Sequence, residues 1–201
     1  MKRSETARRQ IVDYVRQEIC LHGVSKLTMD DIARGMRVSK RTLYQLFPQK
    51  TCLIRLCLSD IANEARGKLP GRGDRSVAAC TKMLFRTVDE YVALLHTYGS
   101  TLLSDIMPDA DYRSFIECEK VFWRRQVFEA LTQCRDCDCL LAFVDPERVA
   151  GSLFDTLFEQ CRQGASRTEQ RLMSYVLLRG FFKLDKIGYI DQLLDADKLP
   201  V

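Results

Sequence analysis

A chain of 201 residues with 46% hydrophobic side chains is long enough to bury a core and to divide into two modest domains. Its formal charge of +4 is unevenly shared: residues 1 to 66 hold 13 Lys and Arg against 7 Asp and Glu, a net +6, and the remainder holds 18 against 20, a net −2. A positive module joined to a slightly acidic one points to a polyanion as partner of the first alone, and the absence of any uncharged apolar run near the roughly 20 residues that span a bilayer excludes a membrane-spanning helix.

The opening Met-Lys-Arg-Ser-Glu-Thr-Ala-Arg-Arg runs into charge without an apolar segment, so no secretory signal is expected and the cytoplasm is the expected compartment. Ala7, Ile11, Val15 and Ile19 then recur every four residues, with Val12 and Tyr14 widening the stripe of a first helix. His22-Gly23 ends it, with Gly23 as the cap and His22 as a capping or packing residue rather than a ligand. Lys2, Arg3, Arg8 and Arg9 form a basic arm, read either as a phosphate contact or as a solvated terminus.

Thr28 is the N-cap of a second helix, with Asp31 where a capping-box acid reaches back. Met29, Ile32, Ala33 and Met36 share one face of it. Gly35, Arg37 and Val38 interrupt the pattern, and Ser39 caps a third helix. Turning that helix at about 100° per residue sets Leu43, Leu46 and Phe47 on one side and Lys40, Arg41, Tyr44 and Gln45 on the other. The outer side carries no acid, and each of its groups donates hydrogen bonds to phosphates or base edges. Pro48 suits the first turn of a fourth helix, with Lys50 in the same start region and Leu53, Ile54, Cys57, Leu58 and Ile61 as its apolar members.

The capped Thr28-Met29-Asp30-Asp31-Ile32-Ala33, the turn ending Val38-Ser39, the run Lys40-Arg41-Thr42-Leu43-Tyr44-Gln45-Leu46-Phe47 and the following Lys50 together resemble the TetR family of bacterial transcription regulators, over roughly residues 5 to 60. Two positions depart from the family pattern: Arg37 stands where glycine is common, and Thr51 where an acid follows the lysine. If Arg37 takes a positive φ, it costs on the order of 1 kcal/mol relative to glycine. The resemblance implies an all-α protein with a three-helix DNA-binding domain at residues 1–66 and a helical effector-binding and dimerisation domain at 67–201. It further implies base-edge contacts from Lys40, Arg41, Thr42 and Gln45, and phosphate contacts from Thr28, Ser39, Tyr44 and Lys50. The expected partners are double-stranded operator DNA with palindromic half-sites, a second copy of the chain and a small-molecule effector, and the expected output is repression.

Gly67, Pro70, Gly71 and Gly73 mark the boundary, and from Asp74 the chain reads as helical throughout. Val77, Met83, Leu84, Val88, Tyr91, Val92 and Leu95 keep helical spacing up to Gly99; a second run spans about Tyr112 to Cys134. Asp145-Pro146-Glu147 opens a helix to about Gly164, and Ser166 with Glu169 is a capping box for a last one from about Arg167 to Leu184. Val149, Leu153, Phe154, Leu157, Phe158 and Cys161, with Leu172, Tyr175, Val176 and Phe182, exceed what one helix face needs, which places the dimer seam on these two helices. The rings of Tyr91, Tyr98, Phe115, Phe122, Trp123 and Phe158 read as core, or as the lining of an effector pocket.

Nine cysteines without an export signal read as reduced thiols. Cys134, Cys137 and Cys139 are read as packing at a helix end; the alternative is a DNA-binding regulator triggered through these three by a soft metal or by oxidation, with His96, Cys118 or Cys161 as a fourth ligand. Cys20, Cys52, Cys57 and Cys80 read as core fillers. No enzyme is expected, since the chain lacks a Ser-His arrangement, a glycine-rich phosphate loop and paired carboxylates at ligand spacing; no cofactor and no structural metal are expected either.

Overall fold

The computed structural model describes residues 2–71 and 76–196, with side chains from residue 5 to residue 195. Lys2 and Arg3 of the basic arm, and Gly73 and Asp74 at the boundary, fall outside the described side chains or residues. Nine helices follow one another among the described residues: α1 (Lys2–His22), α2 (Met29–Gly35), α3 (Lys40–Leu46), α4 (Lys50–Arg66), α5 (Val77–Ile106), α6 (Ala110–Asp136), α7 (Pro146–Arg162), α8 (Arg167–Arg179) and α9 (Leu184–Ala196). The sole β feature among them is an isolated antiparallel bridge between Leu140 and Phe182.

By compactness the chain divides into Met1–Glu64 with Thr97–Cys118, and Ala65–His96 with Glu119–Val201. These compact units differ from the expected domains, 1–66 and 67–201, in grouping residues 97–118 with the first helices.

In the first unit, Ile11, Val15 and Ile19 of α1, Leu53, Ile54, Cys57 and Leu58 of α4, and Leu102, Leu103 and Ile106 of α5 are fully or almost fully buried. Ion pairs tie α1 to α4: Arg9 Nη1 reaches Asp60 Oδ2 at 3.0 Å, and Arg16 grips both oxygens of Glu64 at 2.6 Å. α5 does not stop at Gly99 as its spacing suggests. Gly99 takes φ 73°, which breaks the helix, and helical backbone resumes to Ile106.

In the second unit, Phe85, Tyr91, Trp123, Phe154 and Phe182 are the largest buried side chains. Two sequence expectations are corrected here. The last long helix ends at Arg179, and a further helix, α9, follows it. Leu141 N–H donates to Phe181 O and Lys183 N–H to Cys139 O, both at 2.9 Å, so residues 181–183 bond with a segment some forty positions earlier instead of continuing α8. The apolar excess of α7 is also accounted for: Leu153, Phe154, Leu157, Phe158 and Cys161, like Tyr175 and Phe182, are buried within the chain. The exposed apolar row lies on α8 alone, at Leu172, Met173, Val176 and Leu177.

Gly35, the last residue of α2, marks the closest approach in the first unit. A Cβ there would lie 2.2 Å from the Tyr14 hydroxyl of α1, so any side chain displaces the Tyr14 ring from its packing on α2. Gly35→Ala should lower the unfolding free energy by about 1 to 3 kcal/mol despite alanine's better helix propensity. Urea denaturation measures this, and Tyr14→Phe in the same chain should restore part of the loss.

Candidate nucleic-acid interface

α2 begins with a complete capping box. Thr28 Oγ1 accepts from Asp31 N–H at 3.1 Å, and the Asp31 carboxylate accepts from Thr28 N–H at 3.1 Å and from its hydroxyl. Those bonds hold the Asp31 carboxyl below its ordinary pKa, the Thr28 hydroxyl contributing most. The helix ends in a six-to-one cap: Val38 N–H donates to Ala33 O at 3.0 Å, Arg37 N–H donates to Arg34 O at 3.2 Å, and Arg37 itself lies at φ 53°. The departure at Arg37 therefore falls on the one backbone position of the turn that favours glycine.

Ser39 then caps α3, its Oγ accepting from Thr42 N–H at 3.0 Å and lying 2.8 Å from Thr42 Oγ1. Leu43 and Phe47 are buried to 0% and 2% exposure, which on apolar transfer is worth about 1.5 to 3 kcal/mol for each side chain. That anchor fixes which face of α3 stays outside. Lys40, Arg41, Thr42, Tyr44 and Gln45 are all exposed. Arg41 and Gln45 make no side-chain hydrogen bond or ion pair with any described residue, so their donors remain available. Lys40 differs, since its ammonium reaches back to Asp30 Oδ2 at 2.6 Å, an exposed pair that a phosphate or base can replace at little cost.

Lys50 is placed differently from the other cations. Its Nζ donates to Val24 O at 2.7 Å, and partial burial lowers its pKa while the Asp105 carboxylate opposes that shift. Asp105 Oδ2 also accepts from Ser25 N–H at 3.0 Å, and Gly23, at φ 80°, passes so close that a Cβ would lie 2.2 Å from the same oxygen. Lys50 and Asp105 thus hold residues 23–25, the entry to α2. Sequence reasoning missed Asp105, which lies 80 positions from Ser25. In the basic arm, Arg8 stacks on Phe47 at 5.2 Å and Arg9 is engaged by Asp13 and Asp60, so these two arginines are held by their own domain.

The six candidate effector-pocket rings divide between the units. Tyr98 and Phe115 fold with the first, where the Tyr98 hydroxyl donates to Leu58 O at 3.2 Å. Tyr91, Phe122, Trp123 and Phe158 fold with the second. Tyr91 packs on Trp123 and Phe154, with centroids at 5.8 and 4.2 Å, and Phe122 meets Trp123 edge-on at 5.5 Å. Lys120 Nζ stands 4.7 Å over Phe158. Arg66, the last residue of α4, lays its guanidinium 4.2 Å over Phe122 and pairs with Glu119, which is 5% exposed. Burial raises the Glu119 pKa, and Arg66 opposes the rise. These rings pack on one another and on cations; the open hollow between α6 and α7 is lined instead by Arg124, Arg125, Phe128, Glu147, Ala150 and Gly151.

Residues 11–57 match the model of the bacterial regulatory proteins of the tetR family. Among curated proteins none matches the chain. Its fold is that of several solved structures. CprB from Streptomyces coelicolor A3(2), a TetR family protein, is 21% identical over 98% of this chain and all of its own, with a TM-score of 0.69. A CprB structure in complex with its operator sequence is 22% identical over 95% of this chain and 96% of its own, at 0.65. A transcriptional regulator from Saccharomonospora viridis in complex with choline is 16% identical over 89% of this chain and 99% of its own, at 0.71.

The strained cap gives a direct test of this geometry. Arg37→Gly should raise the unfolding free energy by about 1 kcal/mol, the cost of holding an L-residue at positive φ, less the extra freedom glycine gives the unfolded chain. A urea midpoint that moves up without a change in slope would show it.

Proposed function

From the match of residues 11–57 to the tetR-family model, we infer that this chain is a transcription regulator that binds operator DNA as a homodimer and releases it when a small molecule enters the carboxyl-terminal helices. The observation that carries the reading is the outer face of α3. Lys40, Arg41, Thr42, Tyr44 and Gln45 stand exposed on a helix without an acid, anchored from beneath by Leu43 and Phe47. Arg41 and Gln45 are the base-reading pair, with Lys40 and Thr42 beside them; Ser39 and Tyr44 meet phosphates with their hydroxyls, and Thr28 does so when its hydroxyl turns from Asp31 to the phosphate. Lys50 acts on phosphate with its two remaining donors while it holds Val24.

Two copies are needed, since successive major grooves recur about 34 to 36 Å apart. The exposed row Leu172, Met173, Val176 and Leu177 on α8 supplies the seam. Repression follows if the dimer occludes the promoter, and effector control follows if ligand binding changes how α4 is held. Within the second unit Arg66, the last residue of α4, pairs with Glu119 and lies over Phe122, so a ligand that repacks the neighbouring rings acts on that contact.

Arg41→Ala should cost about 1 to 3 kcal/mol on operator DNA and relax preference at particular bases, while Lys50→Ala should weaken operator and random DNA alike and flatten the salt slope by about one. Fluorescence anisotropy on both DNAs across salt concentrations checks this; equal losses for Arg41→Ala on the two would remove it from base reading. Val176→Asp should convert the dimer to monomer in sedimentation and reduce operator affinity with the α3 face intact.

A further inference from the structure

Four of the nine cysteines converge in the second unit, and the convergence has a backbone cause. α6 ends in the same six-to-one cap as α2: Cys139 N–H donates to Cys134 O at 3.0 Å, Asp138 N–H donates to Arg135 O at 2.9 Å, and Asp138 lies at φ 55°. This cap sets Cys134 in the last turn, Cys137 at the cap and Cys139 two residues beyond, around one helix end. Cys80, from the first turn of α5, completes the group, its sulfur hydrogen-bonded with Cys134 and Cys137. Cys80 is therefore more than the core filler its surroundings in sequence suggest, and Cys52, expected in the core, is exposed.

Among the described residues no three His, Cys, Asp or Glu side chains are grouped to hold an ion. Of the expected fourth ligands, His96 bonds Gln170 at 2.6 Å and the Cys161 thiol points to Leu95 O at 3.4 Å.

Its members are chemically unequal. Cys80, Cys134 and Cys139 are fully buried, while Cys137 is half-buried and lines an open hollow of about 420 Å³ with Phe128, Glu129, Thr132, Gln133 and Asp136. As a neutral thiol Cys80 donates to Val77 O at 3.2 Å; as a thiolate it accepts from Cys134, Cys137 and both the N–H and hydroxyl of Thr81. Thr81 Oγ1, fully buried, has no hydrogen-bond partner among the described residues, so its hydroxyl is unspent until Cys80 ionises. These donors, Cys134 first, bring the Cys80 thiol down to about 7 against the effect of burial. Cys134 moves the opposite way, chiefly through the same bond, and burial pushes Cys139 up to about 11.

We propose that Cys137 and Cys80 form a thiol-oxidation site, in which a hydroperoxide entering the hollow oxidises Cys137 and Cys80 then closes a disulfide onto it. In the first step Cys137 passes its proton to the Cys80 thiolate it faces, its sulfur takes the terminal peroxide oxygen as the O–O bond breaks, and the alkoxide recovers that proton and leaves as the alcohol, giving a sulfenic acid and returning Cys80 to thiolate. In the second, the Cys80 thiolate attacks the Cys137 sulfur, the S–O bond breaks, and hydroxide leaves and is protonated to water. Two thiols and one hydroperoxide give one disulfide, one alcohol and one water, with two electrons passing from sulfur to peroxide. Cys134 stays protonated and serves as the donor that keeps Cys80 ionised. The site belongs to the second unit and stands independently of DNA binding.

The test uses the full chain with hydrogen peroxide, followed by alkylation of remaining thiols under denaturing conditions and peptide mapping without reductant. The expected product is a peptide joining Cys80 to Cys137, with seven of the nine thiols still alkylatable, and dithiothreitol restoring all nine. Disulfide closure should accelerate with pH and level off above about 7, following Cys80. Cys137→Ser should abolish the linked peptide; Cys80→Ser should leave a sulfenic acid on Cys137 that dimedone traps; Cys52→Ser should change nothing. Cys80 remaining reduced while Cys137 is oxidised above neutral pH would overturn the proposal. So would oxidation confined to the exposed Cys52 and Cys118. If Cys80→Ser fails to fold by circular dichroism, the alkylation pattern of the unmodified chain decides alone.

Discussion

A single carboxylate on α5 holds the segment through which α1 hands the chain to α2. Asp105 accepts the Ser25 N–H and faces the Gly23 backbone too closely for any side chain, while Lys50, beside it in the electrostatic sense, closes the other edge by donating to Val24 O. Without these bonds residues 23–28 would be a short flexible link, and the capping box at Thr28 would fix where α2 begins but not its direction. With them, α2 starts from a defined point between α1 and α4, and the buried Leu43 and Phe47 can set α3. The exposed face of α3 is a consequence of that sequence of constraints. Its chemistry lies in Arg41 and Gln45, but its position lies in a residue more than sixty positions later. This also explains why residues 97–118 belong by compactness to the first unit.

Local physics made the amino-terminal module legible. The caps at Thr28 and Ser39, the four-residue apolar spacing of α1 and α4, and the one-sided charge of α3 each depend on neighbours within a turn or two, and each is present in the structure as expected. The positive φ of Arg37 was legible for the same reason, since a glycine position in a helix cap is set by local backbone geometry.

What was not legible depends on distant partners. Phe182 fits a helical spacing and so extends α8 on paper; in the structure its backbone pairs with Leu140 and its ring enters the core, and α9 begins just beyond. Lys50 looks like a free cation in sequence because Val24 O, which it bonds, leaves no mark there. Cys80 reads as filler because Cys134 lies 54 positions away, and the aromatic rings of the second unit read equally as lining or as packing until their mutual contacts are known. The apolar excess of α7 and α8 was real in amount, but whether it met the chain's own core or solvent was a tertiary question, and only α8 kept an exposed row.

The two non-glycine residues at positive φ among the described residues occupy the same place in the same cap, and their surroundings differ in a telling way. Each costs on the order of 1 kcal/mol relative to glycine. At the end of α6, Asp138 recovers part of that cost, because its carboxylate accepts from Lys183 at 2.5 Å and is held below the ordinary carboxylate range by that bond. The cap there also positions Cys137 and Cys139, so the strain is tied to the thiol cluster. At the end of α2, Arg37 is exposed and its side chain makes no hydrogen bond or ion pair with any described residue; its backbone is held by the buried anchors on either side of the turn, Ile32 and Ala33 before it and Leu43 and Phe47 after it.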